Sequence, residues 1–234
     1  MNKLILVSIL FLCILSTAFA QSGDEDTDAK YFFSAAAGLN FTQMQSSGDL
    51  YKQSRFGTGY RIGLQFNLFP DYDFQQFLIR LGAYYTKEVS ESKNSILLQE
   101  VPVVAQAEIN SASVELFFAY RFATEATVDV YLGGGFQFQQ KINKDDEAYT
   151  FLNPDGTEIP VFNKENPSIP LKFQTEGPKA ALGPFAELGA FIPIGDKQLS
   201  IASGISYAFF FTNSSAELKL EKANLYITAS YEVF

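Results

Sequence analysis

The segment from Phe56 to Leu68, FGTGYRIGLQFNL, alternates between two kinds of residue over its whole length. Its even positions, such as Tyr60 and Leu64, are mostly large and apolar, whereas its odd positions are small or polar. A period of two is the pattern of a β-strand with two different faces. Strands in soluble sheets typically have about 5–6 residues. A strand this long, with one apolar and one small or polar face, indicates a larger and more regular sheet than is usual in soluble proteins.

Eight stretches show this alternation, and none shows a convincing helical period of 3.6. They cover 31–42, 56–69, 75–88, 111–122, 128–140, 180–194, 198–212 and 222–234. Short connections near 70–74, 123–127 and 195–197 alternate with longer ones at 43–55, 89–110, 141–179 and 213–221. An even number of strands joined alternately by turns and loops is typical of outer-membrane barrels. We predict an all-β fold over 31–234, a closed antiparallel transmembrane β-barrel of eight strands.

Lipid or a soluble core could cover the apolar face, and alternation alone does not choose between them. The exterior of a soluble lipocalin-like barrel should carry many Lys and Glu residues, yet the polar faces here are mostly Gly, Ser, Asn, Gln and Thr. Tilted strands of 12–15 residues also span the apolar band of about 25 Å that a membrane requires. These features favour a barrel whose apolar face contacts outer-membrane lipid.

The chain ends in LYITASYEVF, an alternating strand with an aromatic terminal residue. This resembles the C-terminal signal that the barrel assembly machinery recognises, and we expect Tyr231 and Phe234 to form it. Phe234 is one residue out of phase with the outward positions Tyr231 and Val233. A terminal bulge, or a different parity near the strand end, would account for this offset.

Residues 1–20, MNKLILVSILFLCILSTAFA, have the basic start, short apolar core and small closing residues of a secretory signal peptide. We expect cleavage before Gln21, followed by an acidic periplasmic leader at 21–30 and export to the outer membrane of a Gram-negative bacterium. The only cysteine, Cys13, lies in the predicted signal peptide. The chain has 26 acidic and 17 basic residues, a balance that argues against nucleic acid as a partner.

The stretch from Ser113 to Phe138 carries a resemblance to a known family. It contains Val114-Glu115-Leu116, a strand end at Tyr120-Arg121-Phe122, a short turn, and Tyr131-Leu132 followed by Gly135. This resembles the outer membrane protein β-barrel domain family that includes the PorT-like proteins, although members often have proline where this chain has Phe117. The resemblance implies an outer-membrane location and an accessory role in secretion or envelope assembly, without implying a reaction.

The familiar outer-membrane barrel enzymes use histidine as a general base or as the activator of a nucleophile. This chain contains no histidine, and its one cysteine is predicted to be removed. We therefore predict that the protein is not an enzyme and that it has no catalytic, metal or cofactor site.

Charged residues occur on the inward faces of several predicted strands. An eight-stranded barrel has an interior just wide enough for side chains, and buried charges persist mainly in pairs. We predict a lumen plugged by ion pairs, with a conduction path as the alternative. The residues concerned are Arg61, Arg80, Glu115, Arg121, Asp129 and Glu187.

Two long connections are unusual. In 89–110 an apolar set falls on odd positions, whereas the strand resumes with even-numbered apolar residues from Val114; the odd set is Val101, Val103, Ala105, Ala107 and Ile109. This change of phase predicts a bulge or a separate segment.

The extracellular loop 141–179 contains a turn signal at Asn153-Pro154-Asp155-Gly156. A hairpin there would make a barrel of ten strands possible. Its aromatic residues are candidates for binding a protein partner: Tyr149, Phe151, Phe162 and Phe173. We predict a non-catalytic outer-membrane protein with a structural or partner-binding role, and a small channel or transporter is the alternative.

Overall fold

The computed structural model describes residues 30–46, 54–70, 76–92, 96–98, 101–122, 128–143, 149–153, 155–159, 180–211 and 220–234. Eight long strands form a barrel: β1 Lys30–Ser46, β2 Ser54–Phe69, β3 Phe77–Ser92, β5 Val101–Phe122, β6 Asp129–Lys141, β9 Ala180–Ile194, β10 Lys197–Phe211 and β11 Leu220–Glu232. Three short strands join the sheet: β4 Ile96–Leu98, β7 Tyr149–Leu152 and β8 Glu158–Ile159. None of the described residues form a helix long and apolar enough to cross a membrane.

Each long strand pairs antiparallel with the next long strand along the chain. β11 then pairs back onto β1, with Gly38 opposite Thr228, and this closes the sheet. Closure leaves no unpaired edge within the barrel wall, as a sheet in hydrocarbon requires. The predicted eight-stranded antiparallel barrel is therefore confirmed.

The strands alternate between two ends, which we call the turn end and the loop end. At the turn end, β9 and β10 are joined by Gly195 and Asp196. Gly195 has a φ of 66°, a left-handed conformation that glycine adopts without strain. The loop end is where β2, β5, β9 and β11 begin.

The exterior of the barrel is apolar. Leu64 is 61% exposed and Phe136 is 63% exposed, and similar residues cover the wall at mid-strand: Leu39, Ile62, Phe118, Leu132, Leu188, Ile205 and Ile227. Exposed aromatic residues mark both ends: Tyr31, Phe77, Tyr120, Phe122 and Tyr231 at the turn end, and Tyr60, Tyr85, Tyr207 and Phe209 at the loop end. An apolar wall between two aromatic girdles is the exterior of an outer-membrane β-barrel.

The change of phase in 89–110 has a different cause from the one predicted. β5 is continuous from Val101 to Phe122, and its pairing with β3 runs unbroken from Tyr120 to Gln106. Ala107 and Ile109 are buried on the same inward face as Ser111. The prediction of a bulge or separate segment in β5 is wrong, because the inner face of this strand itself changes from polar to apolar towards the loop end.

A register irregularity lies in β2 instead. The pairing of β2 with β3 shifts between Phe56 and Tyr60. The two residues stand opposite Ser90 and Lys87 respectively, so β2 contains one residue more than β3 over this interval. This bulge lies close to the loop end, where bulges commonly adjust the rim of a barrel.

The turn signal in the long loop forms the hairpin between β7 and β8. The backbone N–H of Gly156 donates to the carbonyl of Asn153 at 2.8 Å, and Gly156 has a φ of 86°. β7 pairs with residues 104–107 of β5, whereas β6 pairs directly with β9 through the wall. The β7–β8 hairpin therefore pairs with the loop-end part of β5. It does not supply a ninth and a tenth strand of the barrel wall.

Candidate functional site in the lumen and at the loop end

The most connected group in the lumen surrounds Glu187 of β9. Arg80 of β3 donates through both terminal nitrogens to its two carboxylate oxygens, at 2.7 and 2.9 Å. The hydroxyls of Tyr131 and Tyr226 donate to the same carboxylate at 2.9 and 3.1 Å. Tyr131 also lies 3.1 Å from the hydroxyl of Ser200. This network ties β3, β6, β9, β10 and β11 together across the interior.

A second ion pair lies closer to the loop end. Arg61 of β2 donates to Glu115 of β5 at 2.8 Å, and the two side chains are 5% and 3% exposed. The guanidinium carbon of Arg61 lies 3.7 Å from the ring centre of Tyr84 and 4.8 Å from that of Tyr226. Cation–π contacts of this kind gain strength where water is excluded. The pair is therefore held by aromatic rings as well as by its partner charge.

A third pair lies nearer still to the loop end and was not predicted. The ammonium group of Lys222 lies 2.7 and 2.8 Å from the carboxylate oxygens of Glu88, and both side chains are fully buried. Lys222 also donates to Gln139 of β6. Lys222 lies two positions before the inward-facing Asn224 in β11. The alternation of the strand therefore also places the Lys222 side chain in the lumen.

The turn end is closed by aromatic side chains. The rings of Phe32, Phe69 and Phe191 contact one another with centroid separations of 6.0 to 6.2 Å, and all three are buried. Arg121 pairs with Asp129 beside them and lies 5.3 Å from the Phe69 ring. We call the three phenylalanines the aromatic plate.

All six charged residues selected from the sequence thus lie in pairs: Arg61 with Glu115, Arg80 with Glu187, and Arg121 with Asp129. The aromatic side chains of the lumen, which include Tyr131 and Tyr226, were not predicted from the sequence. A side-chain carbon at Gly189 would collide with the ring of Tyr131, and one at Gly204 would collide with the ring of Tyr226. Each glycine clears space for an inward tyrosine.

Among the described residues, the inward ion pairs of the barrel balance in charge. The ion-paired inward residues of the described strands comprise four basic and four acidic groups, namely Arg61, Arg80, Arg121 and Lys222 with Glu88, Glu115, Asp129 and Glu187. Such pairs succeed one another from the aromatic plate to the loop end. Opening a passage would separate desolvated opposite charges, which is costly.

At the loop end, residues 101–107 of β5 take part in a small additional sheet. β4 pairs with Val101 to Val103, and β7 pairs with Val104 to Ala107. β8 forms the outer edge through its pairing with β7. This four-stranded sheet, β4–β5–β7–β8, is referred to below as the loop-end sheet.

Two of the four predicted partner-binding residues lie in this sheet. Tyr149 and Phe151 are residues of β7, whereas Phe162 and Phe173 lie outside the described residues. At the hairpin tip, Asp155 accepts hydrogen bonds from the Thr157 hydroxyl at 2.7 Å and the Thr157 backbone N–H at 2.9 Å. These bonds lower the pKa of Asp155, so the tip stays anionic to more acidic pH than a free carboxylate would.

The predicted assembly residues lie at the seam between β11 and β1. Tyr231 faces outward, and Phe234 is 87% exposed. The backbone N–H of Val233 donates to the carbonyl of Phe33 at 2.8 Å, and the Phe33 N–H donates to the carbonyl of Phe234 at 3.0 Å. Two terminal residues therefore stand opposite one, which is the pairing of a β-bulge and explains why Phe234 is out of phase. The predicted signal peptide at 1–20 and nearly all of the leader at 21–30 lie outside the described residues.

The solved structures that are similar to this chain include small outer-membrane barrels. OprG from Pseudomonas aeruginosa is 14% identical, over 89% of this chain and 97% of that one, with a TM-score of 0.46. Ail of Yersinia pestis is 9% identical, over 87% and 99%, with a TM-score of 0.39. No family model matches the sequence, and no curated protein does. The resemblance to the PorT-like family therefore stays a prediction.

The prediction that the chain is not an enzyme requires correction. Solved structures similar to this chain also include the outer membrane enzyme PagL, at 14% identity over 83% of this chain and 97% of that one, with a TM-score of 0.35. Because enzymes occur on barrels of this kind, the exclusion of catalysis is wrong. The similarity does not show that this chain is itself an enzyme.

Proposed function

We propose that this protein is an outer-membrane barrel closed to solutes that binds a protein partner at its loop end. The resemblance of Ser113–Phe138 to PorT-like barrels suggests the setting, an accessory role in secretion or envelope assembly. In this proposal the barrel wall anchors the protein in lipid, the lumen provides rigidity, and the loop-end sheet provides the contact surface.

The packed lumen is the observation that carries this proposal. The Arg80–Glu187 pair is bidentate and 3% exposed on both sides, and the aromatic plate lies between it and the turn end. Solute passage would require both to move, at the cost of exposing an unpaired charge in a desolvated interior. A rigid, filled barrel is instead suited to holding an external surface in a fixed orientation.

The loop-end sheet supports the second half of the proposal. β5 continues about ten residues beyond its pairing with β6, which ends at Ser111. Continuous hydrogen bonding from the wall into the loop-end sheet fixes the sheet relative to the membrane. Partner binding to a preordered surface loses less entropy than binding to a flexible loop.

A small channel or transporter is the second candidate, and one observation favours it. Asn40, Gln137 and Thr228 bury polar side-chain atoms that have no hydrogen-bond partner among the described residues. Buried polar atoms of this kind are commonly satisfied by water. Such water would occupy the interior between the ion pairs.

The binding half of the proposal is tested by replacing residues 145–175 with a short Gly-Ser linker. A matched control replaces 213–219, which lies at the same end of the barrel, by a linker of equal length. Both proteins are expressed in the native host, cross-linked in intact cells and purified from native membranes. We expect both barrels to insert and only the first to lose its copurifying partner. Recovery of the same partner with the first variant would place binding elsewhere.

A further inference from the structure

Two strands lie end to end along one edge of β5 at the loop end. The pairing of β6 with β5 ends at Ser111, opposite Lys141, and the pairing of β7 begins at Ala107, opposite Tyr149. β3 also pairs with Ala107. Because β3 occupies the other edge of β5, β7 must share the edge of β6. Residues 108–110 of β5 therefore form a gap between the two pairings on this edge.

The side chain of Asn143 bridges this gap. The backbone N–H of Ile142 donates to the carbonyl of Asn110 at 2.8 Å. The Oδ1 of Asn143 then accepts from the backbone N–H of Asn110 at 3.1 Å, and its Nδ2 donates to the carbonyl of Glu108 at 2.8 Å. An asparagine amide offers one acceptor and one donor group, as a peptide unit does. It therefore continues the hydrogen bonding of the wall from β6 towards β7.

We propose that Asn143 is a positioning residue that fixes the loop-end sheet relative to the barrel wall; this inference rests on the proposed function of that sheet as a contact surface. Asn143, Glu108 and Asn110 are half-buried, so water can replace the lost hydrogen bonds and the barrel does not need Asn143 to fold. Without the bridge, however, β5 is held on one edge only between β6 and β7. The sheet can then bend at the gap, and a partner must pay the entropy of fixing its orientation.

The distance between two spin labels tests this role without any partner. One label is attached at Thr157→Cys, on the exposed hairpin tip, and the other at Phe136→Cys, on the exposed wall of β6. Both changes are made in a Cys13→Ser background, so that each label has a unique site. Double electron–electron resonance in lipid nanodiscs gives the distribution of the distance between the labels, and heat-modified migration on gels checks that every variant is folded.

Asn143→Ala is expected to make this distribution several-fold wider. Gln106→Ala is the matched control, because it removes a side-chain hydrogen bond to Glu91 of β3, on the opposite edge of β5, and it should leave the width unchanged. Asn143→Asp keeps the acceptor for Asn110 but loses the donor, so its width should be intermediate. Equal widths in Asn143→Ala and the unsubstituted barrel would overturn the positioning role and leave the proposed function intact.

Cross-linking in intact cells then relates the position of the sheet to binding. Asn143→Ala should lower recovery of the copurifying partner several-fold, whereas Gln106→Ala should not. Full recovery with Asn143→Ala, when replacement of 145–175 abolishes it, would overturn the positioning role alone. Full recovery after replacement of 145–175 would overturn the proposed function, and the positioning role with it.

Discussion

Arg80 and Glu187 face each other across the interior of the barrel, joined by two hydrogen bonds of 2.7 and 2.9 Å. Their strands, β3 and β9, are separated in the wall by β5 and β6 on the shorter side. The pair therefore connects walls that share no backbone hydrogen bonds. Two tyrosine hydroxyls complete the coordination of the carboxylate, which leaves little room for either charge to reorient.

Removing the carboxylate of Glu187 is expected to destabilise the barrel strongly. Glu187→Ala leaves Arg80 charged and desolvated, and breaking a buried pair in this way typically costs about 3–5 kcal/mol. Glu108→Ala is the control. The side chains of Glu108 and its partner Lys87 are 41% and 32% exposed, so this ion pair should contribute less than about 1 kcal/mol to stability. Urea unfolding in lipid vesicles measures the free energy of unfolding of both variants. An equal decrease in the two variants would contradict the assigned role of the buried pair.

The glycine opposite Tyr226 is expected to resist substitution. In Gly204→Ala the new carbon would collide with the end of the Tyr226 ring, and overpacking of this kind costs about 1–3 kcal/mol. Gly134→Ala is the control, since its nearest atom would be 3.2 Å away. Adding Tyr226→Phe should restore part of the stability lost in Gly204→Ala, because the hydroxyl is one of the colliding atoms. A free energy of unfolding that is unchanged by Gly204→Ala would show that the ring does not pack there.

Deletion of Phe234 is expected to impair assembly in cells more than stability. Its side chain is 87% exposed, so its loss removes little packing, whereas the predicted recognition signal loses its terminal aromatic residue. The folded, heat-modifiable fraction in the outer membrane should fall, while refolding of purified protein into vesicles should not. Phe136→Ala, at another exposed position of the wall, serves as the control. An unchanged folded fraction in cells would reject the signal.

The packed lumen also predicts which positions are accessible to water. The chain has a single cysteine, Cys13, so a Cys13→Ser background gives unique labelling sites. Ser200→Cys, next to Tyr131 in the lumen, should react with a membrane-impermeant maleimide far more slowly than Thr157→Cys at the exposed hairpin tip. Comparable labelling rates would mean that water and small solutes reach the central ion pair.

The sequence predicted the wall of this barrel better than its interior. Alternation identifies the outward positions because lipid imposes one rule on all of them, as Leu64 and Phe136 illustrate. The interior follows no such rule, since each inward side chain depends on what the opposite wall supplies. Tyr131 has room in the lumen because Gly189 on the neighbouring strand carries no side chain, and the sequence does not give the register that places these two residues opposite each other across the long loop 141–179.

The ion pairs show the same limit. Arg121 and Asp129 could be predicted to meet, because a short turn separates their strands. Arg80 and Glu187 are 107 positions apart, so the sequence supplied both residues without indicating that they are partners. Lys222 was not predicted as a lumen charge, although the predicted strand 222–234 begins at it and it shares the parity of the inward Asn224.

Single-channel recording in planar lipid bilayers tests the central claim most directly. The unsubstituted barrel is inserted at low protein density, and a general porin in the same bilayer verifies that insertion and detection work. Because the Arg80–Glu187 network and the aromatic plate fill the lumen, we predict no stable conductance steps of porin size. Reproducible open steps of that size from the folded, unsubstituted protein would contradict a closed lumen and would favour the channel as its function.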